Sequence, residues 1–107
     1  MRRGEVRWTQ FAQPYGRRPT VLLTRNSSID RLNAVTVAVV TTNVRDYKTH
    51  VYLDEEDGMP TECNVTAHNL QTIPKEDVKQ LITTLTDQRM AEVEDAIRYA
   101  LGFGEIV

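Results

Sequence analysis

With 107 residues, 40% of them hydrophobic and 26% charged, the chain can hold one core and one domain, 1–107, and is too apolar to be disordered throughout. A single cysteine, Cys63, excludes a disulfide within the chain and fits a reducing cytoplasm, and no run approaches the roughly 18 apolar residues of a membrane span. The net charge of −2 hides an asymmetry: residues 1–31 carry seven arginines against two acids, or +5, and the remainder carries −7. Such a distribution can set a basic face on an acidic body.

Residues 5–10 alternate, with Val6 and Trp8 on one side and Arg7 and Thr9 on the other, which predicts a half-buried first strand with Trp8 in the core. Pro14 and Gly16 punctuate the following loop. Pro19 has no amide to give a ladder, so the second strand is expected to be short, over 20–24. Residues 26–31 read as one helical turn. The run 34–42 is nearly all β-branched or small, the pattern of a strand buried on both faces.

A fourth strand is expected over 49–53. The acids Asp54, Glu55, Glu56 and Asp57 lack a metal-loop spacing and read as a solvated turn. Two short strands are expected over 62–66 and 68–73, then a turn opened by Pro74. Leu81, Ile82 and Leu85 fit either the end of a helix or a last edge strand. Over 87–101 the stripe Met90, Val93, Ile97 and Leu101 predicts an amphipathic helix that Gly102 ends. Short strands followed by one helix predict a mainly β (α+β) fold: a small, strongly bent, SH3-like antiparallel barrel with a C-terminal α-helix.

Chemistry concentrates at two strand ends. Arg17 and Arg18 stand at the mouth of the second strand, and Thr41 and Thr42 end the third. A guanidinium offers a planar fork of donors that fits phosphate, and a hydroxyl can hold a further phosphate oxygen. Side by side, the two ends would form a phosphate-binding floor.

The order of several short motifs over nearly the whole chain resembles the MazF/PemK/Kid toxins of type II toxin–antitoxin modules, which are sequence-specific endoribonucleases. The motifs are Arg3-Gly4-Glu5-Val6, Arg18-Pro19 before Val21-Leu22-Leu23, the strand ending Thr41-Thr42, Thr49-His50-Val51, Thr72-Ile73 and Ala100-Leu101-Gly102-Phe103. The resemblance implies a CcdB/PemK-like barrel and a homodimer that binds single-stranded RNA in a groove. It further implies a cognate antitoxin whose acidic C-terminal tail covers that groove, and Arg18 and Thr41 as the catalytic pair. Where some relatives carry Asp and Arg, His68-Asn69-Leu70-Gln71-Thr72-Ile73 places His68 and Gln71, and the loop before Arg18 is short.

Cleavage by attack of the 2′-hydroxyl on its own phosphate needs a base, an acid and donors for the crowded phosphorane, and requires neither cofactor nor metal. It leaves 2′,3′-cyclic phosphate and 5′-hydroxyl ends. Arg18 suits phosphorane stabilisation, because its pKa above about 12 makes it a poor proton carrier. Thr41 suits a non-bridging oxygen. His68 is a candidate base or acid, since an ordinary imidazole titrates near 6.5. Arg17, Arg25, Asn69 and Gln71 are candidate RNA contacts, and Tyr15 in the loop is a candidate base-stacking residue. Cys63, His50 and His68 carry no paired-ligand spacing, so no metal is expected. Two other readings stay open: a CcdB-like toxin acting on a protein such as DNA gyrase, and a catalytically silent barrel that binds RNA or an acidic peptide.

Overall fold

A computed structural model describes residues 1–105. Six strands form one antiparallel sheet: β1 Glu5–Gln10, β2 Arg17–Leu22, β3 Ala34–Thr41, β4 His50–Leu53, β5 Cys63–Pro74 and β6 Val78–Thr84. Their spatial order is β4-β5-β3-β2-β1-β6. A one-turn helix, α1 (Asn26–Ile29), links β2 to β3, and α2 (Asp87–Leu101) packs against β4 and β5. The expected mainly β barrel with a C-terminal helix is the observed architecture.

Burial follows from the alternation of β3. Ala38 and Val40 face α2 in a core with Val6, Val21, Val51, Leu53, Val65 and Val93. Val35 and Val37 face the other way, into a smaller core with Leu22, Ile29, Ile73 and Val78. A strand covered on both sides must be apolar on both, which is why its β-branched run is unbroken. The helix begins where Thr86 accepts a hydrogen bond from the Arg89 amide, and it ends at Gly102 in the left-handed conformation.

One edge strand, β6, is tied to the turn that follows the other, β4, and not by a ladder. Thr83 of β6 donates its hydroxyl to the carbonyl of Asp57, in the 3₁₀ turn Glu55–Asp57 that follows β4. Arg89 of α2 grips the Asp57 carboxylate through Nε at 2.9 Å and Nη2 at 3.2 Å. Burial opposes ionisation at Asp57, but this guanidinium together with the Asp54 amide outweighs it and holds the carboxyl below the usual range. The four-acid turn is therefore structural: Asp54 caps it and Asp57 ties it down.

Several expectations change. The second strand begins at Arg17 rather than residue 20, running through Pro19. Arg17, Arg18 and Pro19 pair only with β1, and pairing with β3 starts at Thr20 opposite Val39. The missing amide thus sits where β2 is locally an edge. The two short strands over 62–66 and 68–73 are one strand, β5. Its partner register jumps between Ala38–Leu70 and Val39–Thr66, so residues 67–69 form a bulge where a break was expected. Residues 78–84 are a strand, consistent with β-branched Ile82, Thr83 and Thr84. Trp8 is only half-buried: at the barrel mouth its ring supports the Arg17 guanidinium, 4.4 Å from the centroid.

Candidate active site

The β2–β3 register explains how the site forms. Thr20–Val39, Val21–Ala38 and Leu22–Val37 are paired neighbours. Continuing that antiparallel count sets Arg18 opposite Thr41, and Arg17 opposite Thr42, beyond the point where the ladder stops. Alternation then sends Arg18 and Thr41 to one face and Arg17 and Thr42 to the other. The diverging strand ends leave a cleft of about 500 Å³, lined by Phe11, Tyr15, Arg18, Thr41, Asn69 and Gln71, with Val39 and Thr66 at its base. A second hollow of about 350 Å³, sharing Tyr15, Arg18 and Thr41, lies on the Arg17–Thr42 side over Trp8.

Each group in the cleft has a local reason for its place. Behind Arg18, on the same face of β1 and β2, the buried hydroxyls of Thr9 and Thr20 satisfy each other at 2.8 Å. Thr66 donates its hydroxyl to the Val39 carbonyl, which ties β5 to β3 beneath the cleft. Asn69 and Gln71, two residues apart on one face of β5, lie side by side, and the Gln71 side-chain amide donates to Asn69 Oδ1 at 2.8 Å. Arg18 itself makes no ion pair among the described residues. A cation on an exposed strand end, with its fork unclaimed and a hydroxyl across from it, is a ready anion site.

The cleft therefore collects Arg18, Thr41, Tyr15, Asn69 and Gln71 of the residues singled out from the sequence. Arg17 lies in the adjoining hollow, donating to Gln80 Oε1 at 3.2 Å. Arg25 lies elsewhere, in a cleft with Arg3, Glu94 and Arg98. His68 is exposed and lines neither hollow; its ring stacks on His50, with centroids 5.6 Å apart and planes 21° from parallel. Thr66, at the base of the cleft, is not among the residues singled out from the sequence, and Asn64 and His50 lie outside the cleft's lining. The available signal was Asn64 and Thr66 alternating with Val65: polar residues at period two in a buried strand mark a polar floor. Among the described residues no three His, Cys, Asp or Glu groups converge to hold a metal ion. Cys63 is buried, and that burial, with Asp57 and Asp54 nearby, pushes its thiol up to about 11.

This fold has solved counterparts. Mycobacterium tuberculosis toxin MazF-mt6 superposes with a TM-score of 0.84 at 32% identity, covering 92% of this chain and 96% of that one. A mycobacterial endoribonuclease solved with its cognate antitoxin has the same fold, with a TM-score of 0.85 at 24% identity over 96% of both chains. Residues 2–101 match the family described as PemK-like, MazF-like toxin of type II toxin–antitoxin system. Probable endoribonuclease MazF2 of Mycobacterium tuberculosis is 35% identical over 95% of this chain and 99% of its own length. Endoribonuclease MazF3 of the same organism is 36% identical over 91% of this chain and 90% of its own. The chain belongs to the PemK-like, MazF-like toxin family, and the enzyme class that these relatives share is endoribonuclease.

Proposed function

We propose that this toxin cleaves single-stranded RNA at the mouth between β2 and β3, without a metal, by attack of a 2′-hydroxyl on the neighbouring phosphate. The O2′–P bond forms as the 2′-hydroxyl gives up its proton, and the P–O5′ bond breaks as O5′ takes one up, a net proton transfer from O2′ to O5′ that gives a 2′,3′-cyclic phosphate and a 5′-hydroxyl end. The observation that carries this reading is the register that sets Arg18 across from Thr41 just past the end of their ladder. Arg18 meets the non-bridging oxygens as charge builds on the phosphorane, and Thr41 donates to one of them. Asn69 and Gln71, amide side chains on the cleft wall, present the donors and acceptors that read base edges, and Tyr15 stacks on a base. Arg17, held over Trp8, contacts the RNA backbone on the adjoining side.

By likeness to the family, the working form is a cytoplasmic homodimer, silenced by a cognate antitoxin whose acidic tail occupies the same cleft. A carboxylate tail and a phosphate backbone would compete for one arginine fork. Among the described residues no helix is long and apolar enough to cross a membrane.

The test is incubation of the purified protein with a long defined RNA in EDTA, followed by mapping of the cut positions and of both new ends. Discrete cuts at a recurring short sequence, with cyclic-phosphate and 5′-hydroxyl ends, are expected. Cleavage that appears only on adding a divalent ion, or 5′-phosphate ends, would overturn the mechanism. Toxicity in cells without cleavage of any RNA would favour a protein target.

A further inference from the structure

Beside the cleft lies an aromatic cluster that the cleavage chemistry leaves unused. Asn64 is the β3–β5 partner of Thr41, and His50 is the β4–β5 partner of Thr66. Thr41, Asn64 and His50 therefore occupy successive strands β3, β5 and β4 on one face, leading from the cleft over the sheet's edge. The buried Asn64 side chain is fixed at both ends. Its Nδ2 donates to the Cys63 carbonyl at 3.0 Å, and its Oδ1 accepts from the Arg45 amide at 2.7 Å. His50 Nδ1 stands 2.8 Å from that same oxygen. An oxygen acting as acceptor requires Nδ1 to be the donor, so the ring is locked in one tautomer and one orientation.

Two further rings extend this one. His68, two residues beyond Thr66 on β5, is a diagonal neighbour of His50 and stacks on it at 5.6 Å. Tyr47 meets the edge of His50 at 5.1 Å with the planes 76° apart, and is 57% exposed. His68 is exposed as well, so both outer rings of the cluster are open to solvent.

We infer that Tyr47, His50 and His68 form a nucleotide subsite, in which a base of the RNA flanking the scissile phosphate stacks on the His68 ring. The inference rests on the ribonuclease reading above and names a second place where the same strand is held. Two strand spacings, about 9–10 Å, separate β3 from β4, within reach of a neighbouring nucleotide. Imidazole and phenol faces stack on any base, so the subsite adds affinity and leaves sequence choice to the amides in the cleft.

The test uses the full chain and a single-stranded RNA oligonucleotide, with Kd from fluorescence anisotropy and kcat from cleavage of the same RNA. His68→Ala and Tyr47→Ala, both at exposed positions, should each weaken binding, His68→Ala by about 5- to 20-fold, with kcat retained. His68→Tyr should restore the affinity. Unchanged Kd in both alanine variants of an enzyme that cuts RNA would overturn the subsite alone. A fall in kcat without a change in Kd would make His68 a proton-transfer residue and likewise overturn it. Wild-type protein that neither binds nor cuts single-stranded RNA would overturn both the subsite and the ribonuclease reading.

Discussion

At the scale of the residue, the site depends on donors whose geometry is not interchangeable. Arg18→Lys keeps the charge but replaces a planar fork with a single point, so it should recover little of the activity lost in Arg18→Ala. Thr41→Val keeps the β-branched shape that a strand end favours and removes only the hydroxyl. It should fold normally and slow single-turnover cleavage by about 10-fold or more, the loss of one donor to a charged oxygen. A Thr41→Val rate equal to wild type would show that the hydroxyl serves only the turn after β3, where it accepts from the Asn43 amide at 3.1 Å.

Elements show where a linear pattern is informative and where it stops. Gly58 ends the 3₁₀ turn at φ +88°, and a Cβ there would collide with the Thr83 side chain. Gly58→Ala should therefore strain the turn and displace Thr83 from its bond to Asp57, costing at least about 1–2 kcal/mol in urea unfolding. An unaltered midpoint would contradict that tie between the sheet's edges. Alternation and β-branched runs made the β1, β3 and α2 segments legible in the sequence, because local periodicity is what builds them. The bulge in β5 was not, since its signature is a mismatch with β3 that no single segment records. Arg18 and Thr41 stood out by residue type and by family likeness, whereas their facing each other is a consequence of pairing. Trp8 was misplaced for a related reason: alternation gives a side chain's face but not where along the barrel the core ends. His50 and Asn64 matter only together, fourteen residues apart.

For the whole molecule, closure of the barrel is electrostatic as well as apolar. The Asp57 carboxyl is held low by Arg89, so its contribution to stability is present above the unfolded-state value near 3.8 and is lost as pH falls through the lower folded-state value. Asp57→Asn should cost about 1–2 kcal/mol at pH 7. The gap between variant and wild type should narrow in urea titrations taken progressively below pH 4. A gap that stays constant down to the most acid pH measured would mean that packing, not charge, joins α2 to the turn. The charge asymmetry of the chain is only partly a basic face: Arg3 and Arg7 are committed to Glu94 and Glu5, leaving Arg17 and Arg18 as the cations of the mouth.

The central claim is that Arg18, across the open strand mouth from Thr41, stabilises the transition state of RNA cleavage. Its most direct measurement is the single-turnover rate of Arg18→Ala against wild type, on one mapped RNA in EDTA, with the protein saturating so that binding does not limit. A rate lower by about 10²- to 10³-fold, at the same cut position and with the same ends, is the predicted result. Wild-type cleavage by the alanine variant under saturation would contradict the account and move the chemistry away from this cleft.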